Sequence, residues 1–281
     1  MFFVNYISYS AILSILLLLP WKIGAATTCG AADISSSSVK NCDCLTATPG
    51  TDCTTSFEDR SCKVTFPPIL NQCNTGCIQR NLECSACYIY SVRLCGCVKG
   101  TIPGCLNNGD WWLLRGNDLI TTTKHIPGIL QLGSDNDGWQ MGQTQLAKGV
   151  KVAAGLATRE TGALAVNSVL VRSEEQIHIH VCYLKTSKFR DYLSSQVPSK
   201  FTQLSPLQTH FTDYPTVQCI ASQKKGDSSM DVARITAGYL IGKTCDKYSV
   251  GAGLIIDKND ISWVCMTTTG KGSAEGLFCG T

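Results

Sequence analysis

Charge is scarce in this chain of 281 residues: Asp, Glu, Lys and Arg make up 16% of it, and the formal net charge is only +3. So thin a balance, spread over this length, leaves no basic stripe along which a phosphate backbone could bind, and nucleic acid is excluded as a partner. Low charge does not mean disorder here, because 44% of the residues are hydrophobic and can bury a core. No Asn-x-Ser/Thr sequon occurs, so N-linked glycosylation has no acceptor. Ser168 is not in a Gly-x-Ser-x-Gly setting, which removes a nucleophile-elbow hydrolase. Gly270-Lys271-Gly272-Ser273 lacks the strand-and-helix context of a phosphate-binding loop and reads as a loop. No internal repeat is visible, and after the N-terminal segment no apolar run is long enough to span a bilayer. Histidine is rare, with only four in the chain.

What the chain has in quantity is cysteine. Of 17 cysteines, twelve fall between Cys29 and Cys105 and five after it. So many thiols have little use in a reducing cytosol. The N-terminus agrees with an oxidising destination. Ala11 to Pro20 (AILSILLLLP) has the length of a signal-peptide core, and Gly24-Ala25-Ala26 supplies small residues for cleavage. Lys22 is the one basic residue before Thr27, so the usual positive start is missing. Residues 1–26 are read as a signal peptide of a secreted or extracytoplasmic protein, with an uncleaved signal anchor as the alternative.

Residues 27–105 are read as a small disulfide-rich module. Its spacings (Cys42-x-Cys44, Cys73-x3-Cys77, Cys84-x2-Cys87, Cys95-x-Cys97) could bind zinc as thiolates, but twelve is an even number suited to six disulfides. The connectivity stays open. The module serves either for recognition and anchoring or as a rigid cap on the second domain. Ser35 to Ser38 and Thr46 to Thr55 are loop material. Seventeen is odd, so one cysteine is left over, and Cys182 is taken as that one.

After Cys105 the composition becomes that of an ordinary α+β domain, residues 106–281. Strands are expected over Trp111–Leu114 and Asp118–Thr122 around an Arg115-Gly116-Asn117 turn, over Ala163–Val171, Gln176–Leu184 and Thr216–Ala221, and over the pair Val250–Ile256 and Ile261–Met266. Helices are expected over Trp139–Ala153, Lys188–Ser194 and Met230–Ile241. Hairpin-linked strands with intervening helices imply an antiparallel sheet. Trp111, Trp112 and Trp263 are expected in the core rather than at a ligand.

The chemically informative segment is Gln176-Ile177-His178-Ile179-His180-Val181-Cys182. On a strand, alternate side chains share a face. Gln176, His178, His180 and Cys182 therefore line one side, and Ile177, Ile179 and Val181 bury the other. The two imidazoles sit about 7 Å apart along the strand. Such a pair can attack or polarise a phosphate, shuttle protons or ligate a metal. His125 and His210 read as surface histidines.

Asn167-Ser168, Arg172-Ser173, Gln176, His178 and His180 fall without a gap on the pattern of the CDP-diacylglycerol pyrophosphatase family, a branch of the histidine-triad (HIT-like) superfamily. The chain resembles that family from roughly Trp111 to Thr269, with Leu119 to Gly128 and Gly253 to Thr269 similar at lower strength. It departs from the pattern at Val171, Glu174-Glu175, Thr122, His125, Leu130-Gln131 and Cys182. The resemblance implies a HIT-like antiparallel sheet with helices, and a hydrolase that splits CDP-diacylglycerol into CMP and phosphatidate. His178 matches the nucleophile that forms a phosphohistidine, and His180 would hold a phosphate or bridging oxygen. Gln176, Asn167, Ser168 and Arg172 would bind substrate: the amides and hydroxyl by hydrogen bonds, the guanidinium by charge. No cofactor and no metal are implied. A nucleotide-lipid substrate brings contact with a membrane surface, and a homodimer remains open. Two other readings stand beside this one. The first is a His-ligated zinc hydrolase in which His178 and His180 coordinate with a Glu or His210. The second is a non-catalytic secreted cysteine-rich binding protein on a HIT-like scaffold.

Overall fold

The computed structural model describes residues 92–116, 118–124, 126, 128–171, 177–268 and 273–280. The apolar N-terminal segment and most of the cysteine-rich module lie outside the described residues. What is described of that module is its end, a helix α1 (Val92–Lys99) carrying Cys97, which is bonded to Cys105.

The rest is built on one nine-stranded sheet. In chain order its strands are β1 (Leu106–Asn108), β2 (Trp111–Leu113), β3 (Leu119–Thr122), β6 (Gly162–Val166), β7 (His178–Tyr183), β8 (Ser205–Gln208), β9 (Thr216–Ala221), β10 (Gly251–Ile256) and β11 (Ser262–Thr267). A separate two-stranded hairpin pairs β4 (Val150–Val152) with β5 (Gly155–Ala157). The order across the large sheet is β1-β2-β3-β7-β6-β10-β11-β9-β8, and each neighbouring pair is antiparallel. The expected α+β class with an antiparallel sheet is therefore what forms.

Both faces are covered, which explains the continuous apolar runs of β10 and β11, buried at every position. On one face pack helices α2 (Asp137–Lys148) and α4 (Val232–Leu240), with Trp139, Leu146, Val232 and Ala233 meeting Ile120, Leu164, Ile179 and Leu254. Close approach is possible because α2 presents Gly142, where a Cβ would fall 2.6 Å from Leu164. On the other face pack α3 (Lys188–Ser194) and the C-terminal helix α5 (Ala274–Gly280), whose Phe189, Leu193, Leu277 and Phe278 cover Ala163, Ala165, Ile255 and Trp263. Gly253 on β10 leaves the space that the Phe278 ring fills; a Cβ there would clash with it. Trp111 and Trp263 are fully buried core residues, as expected, whereas Trp112, also expected in the core, is only half-buried.

Several expected boundaries shift. The helix predicted to run to Ala153 stops at Lys148, because Gly149 takes a left-handed φ of +78°, and Val150–Val152 becomes a strand. The strand predicted over Ala163–Val171 ends at Val166, so Asn167 and Ser168 sit just past the strand rather than on it. At the β10–β11 turn, Asp257 accepts from the Asn259 and Ile261 amides and from Trp263 Nε1, which fixes the register of the hairpin.

Candidate active site

Strand β7 is fourth from one edge of the sheet, flanked by β3 and β6. Its alternation runs as the sequence reading expects. Ile177, Ile179 and Val181 join the core under α2, while Cys182 joins the core cluster under α5. The face that carries Cys182 also carries His178 and His180. Thr121, paired with His178, donates its hydroxyl to the Ile177 carbonyl at 2.6 Å and anchors the start of the strand.

The two imidazoles meet edge to face, with ring centroids 5.0 Å apart and planes at 71°. His178 is buried, with 7% of its surface exposed. His180 sits opposite Ala165 of β6. Its Nδ1 lies 3.4 Å from Glu275 Oε1 in the first turn of α5. Its Nε2 is buried and meets no hydrogen-bond partner among the described residues. Burial lowers the His180 pKa below the usual imidazole value, against the opposing pull of Glu275 and Asp118. The ring is thereby held neutral at neutral pH.

Glu275 is itself fixed. Asn167 Nδ2 donates to its Oε2 at 3.1 Å, and its backbone N–H donates back to Asn167 Oδ1 at 3.0 Å. Ser273 Oγ accepts from the Gly276 amide at 2.9 Å and caps the helix. At the far end of α5, Cys279 is bonded to Cys182 of β7. The expectation that Cys182 is the unpaired cysteine is thus wrong. Its side chain points to the helix-covered face, where Cys279 is within bonding reach, and the cysteine spacings along the chain carry no sign of that approach.

Of the six site residues expected from sequence, the described structure brings three into contact range of one another or of a shared partner. These are His178, His180 and Asn167, the last through its hydrogen bonds to Glu275. Ser168 is fully buried in the turn after β6, where its carbonyl accepts from the Val171 amide. Gln176 and Arg172 lie outside the described residues, as does His125. His210 stands on an exposed loop with its ring against Tyr192 and Phe211. Among the described residues no three His, Cys, Asp or Glu side chains converge as metal ligands.

Glu275 is the residue that sequence reasoning missed. Ser273-Ala274-Glu275 followed by Leu277-Phe278 carries a helix-start signal: a capping serine, an acidic first turn and an apolar pair. Gly276 and Gly280 mask it, because glycine is a poor helix former.

A cleft of about 620 Å³ opens at the opposite end of β6 and β7, between Arg159, Lys185, Arg190 and Lys258 among others. Three of these four basic groups are already engaged. Arg159 pairs with Asp260 and Lys258 with Asp191, while buried Arg190 donates to the carbonyls of Ile256 and Gly162.

Fold and site together define an α+β protein with a helix-covered antiparallel sheet and two imidazoles on a central strand. Cys97–Cys105, Cys182–Cys279 and Cys219–Cys265 are disulfides, the chemistry of a chain that matures in an oxidising, extracytoplasmic compartment. No helix among the described residues is long and apolar enough to cross a membrane. Compared with known proteins, the chain matches no family model and no curated protein.

Proposed function

We propose that the chain is a secreted diphosphatase of HIT-like type, acting on CDP-diacylglycerol or a related nucleotide diphosphate conjugate, with residues 1–26 removed as a signal peptide. The observation that carries this reading is the pair of imidazoles on one face of β7, 5.0 Å apart, with His180 Nε2 buried and unpartnered among the described residues. A buried polar atom without a partner is costly, and a ligand that supplies the partner removes the cost.

In this reading a nitrogen lone pair of His178 attacks one phosphorus of the diphosphate. The P–O–P bond breaks, and the bridging oxygen leaves with the other phosphoryl half. Water then attacks the phosphohistidine, the N–P bond breaks, and the electron pair returns to His178. CMP and phosphatidate are the products from CDP-diacylglycerol. Gln176 and Arg172 keep their expected roles on the substrate phosphates, while Ser168 is fully buried in the turn after β6, and the lipid substrate brings the protein to a membrane surface. No step requires a metal or an organic cofactor.

The test is incubation of the purified protein with CDP-lipids, CDP-alcohols and dinucleoside polyphosphates, scored by CMP release and by acid-labile phosphohistidine. His178→Ala is expected to lower turnover by on the order of 10³-fold or more, as loss of a nucleophile does, and to abolish the trapped intermediate. Activity that survives this substitution overturns the nucleophile assignment. Loss of activity on chelation points to the zinc reading, and failure to turn over any member of the panel points to a binding protein.

A further inference from the structure

We infer that Glu275 is a positioning residue that makes His180 the proton acceptor of the histidine pair, so that His180 Nε2 takes the proton from the water that resolves the phosphohistidine. This rests on the reading of His178 as nucleophile but assigns His180 a role other than holding a phosphate oxygen.

The argument starts at the two ring nitrogens. A neutral imidazole has one N–H and one lone pair, and the neighbour of each nitrogen decides which is which. A carboxylate oxygen 3.4 Å from Nδ1 favours the proton there. The lone pair then falls on Nε2, the buried atom without a partner among the described residues. An atom in that state accepts a proton or a hydrogen bond and cannot donate one, so it suits an attacking water better than an anionic phosphate oxygen. As the water oxygen bonds to phosphorus, the N–P bond to His178 breaks and the water proton passes to His180 Nε2. The imidazolium so formed carries N–H on both nitrogens, and Glu275 stabilises its positive charge.

The carboxylate is built to stay in place. Asn167 grips both its oxygen and its backbone amide, Ser273 caps the turn, and Cys182–Cys279 ties the helix to the same strand as the two histidines. Among the described residues, the titratable groups facing His180 are Glu275 from α5, Asp118 from the β2–β3 turn and His178 on its own strand, while β6 presents only Ala165 at the paired position. The pull of burial toward the neutral ring outweighs both carboxylates, in keeping with a base that is free at neutral pH.

The test reads the ring itself before it reads the reaction. Nitrogen chemical shifts of His180 in the intact, disulfide-bonded protein are expected to show the proton on Nδ1. In Glu275→Gln the negative charge is gone, so His180 should titrate at lower pH than in the parent protein. The acid limb of the pH–rate profile should move in the same direction. The plateau rate should fall about 10- to 100-fold, the range seen when the partner orienting a site histidine is lost, and Glu275→Asp should restore part of it. A carboxylate that merely held the helix in place would not move the titration toward lower pH. A proton found on Nε2 in the parent protein, or a His180 titration unchanged in Glu275→Gln, overturns the assignment. The ring titration needs no substrate. If it behaves as expected while no diphosphate is hydrolysed, the functional reading fails and the Glu275 assignment of the tautomer stands.

Discussion

His180 combines burial with a nearby carboxylate, and its charge state links the site to stability. In the unfolded chain it titrates near the ordinary imidazole value of about 6.5, whereas in the folded chain its pKa is lower. As pH falls through that window the unfolded state binds the proton first, so stability falls on acidification. The thermal unfolding midpoint is expected to drop as pH is lowered from neutral through about 6.5, and His180→Gln should flatten that slope. An equal slope in both proteins would place the acid sensitivity elsewhere. Asp257 presents the opposite case, a buried carboxylate whose role is structural. Asp257→Ala strands the Trp263 N–H and two backbone amides, and should cost about 2–3 kcal/mol by denaturant unfolding.

At the scale of elements, the site depends on one short helix docked on one strand. Phe278 seats α5 over Gly253, and Cys182–Cys279 closes a loop across a sequence separation of 97 residues. Replacing both cysteines by serine should cost about 2–4 kcal/mol, as loss of a native disulfide from a long loop does. It should also raise the exchange rate of α5 amides above those of β7. Gly253→Val puts side-chain volume where the Phe278 ring lies and should destabilise by about 1–3 kcal/mol. The strands were readable from the sequence wherever a turn residue and an apolar run coincided. The β10–β11 hairpin and β9 fall within a residue of their expected ends. Among the shortest strands, β2 and β3 were expected around the Arg115-Gly116-Asn117 turn, whereas β1, β8 and the β4–β5 hairpin, three or four residues each, were not read from so short a period. Gly276 and Gly280 hid α5, and Glu275 with it.

For the whole molecule, the described disulfides differ in the distance along the chain that they span. At the end of the cysteine-rich module, Cys97–Cys105 links residues with a sequence separation of 8. In the sheet domain they join elements distant in sequence: Cys219 to Cys265 across β9 and β11, and Cys182 to Cys279 between strand and helix. If the proposed secretion is right, the protein recovered from an oxidising compartment should begin near Ala26 or Thr27 by N-terminal sequencing. A chain that still carries Ala11 to Pro20 would instead be held by a signal anchor.

The sequence by itself determined the α+β class, the antiparallel sheet and the placing of His178 and His180 on one face of one strand. It could do so because side-chain alternation is a property of the extended backbone and needs no long-range contact. It also marked the oxidising compartment, since cysteine number is composition. Only the tertiary structure decided which groups stand beside those imidazoles. The meeting of Asn167, Cys182 and His180 with Glu275 and Cys279 joins chain segments about a hundred residues apart. That contact is set by how α5 packs on the sheet, through Phe278 over Gly253, and no local spacing encodes it.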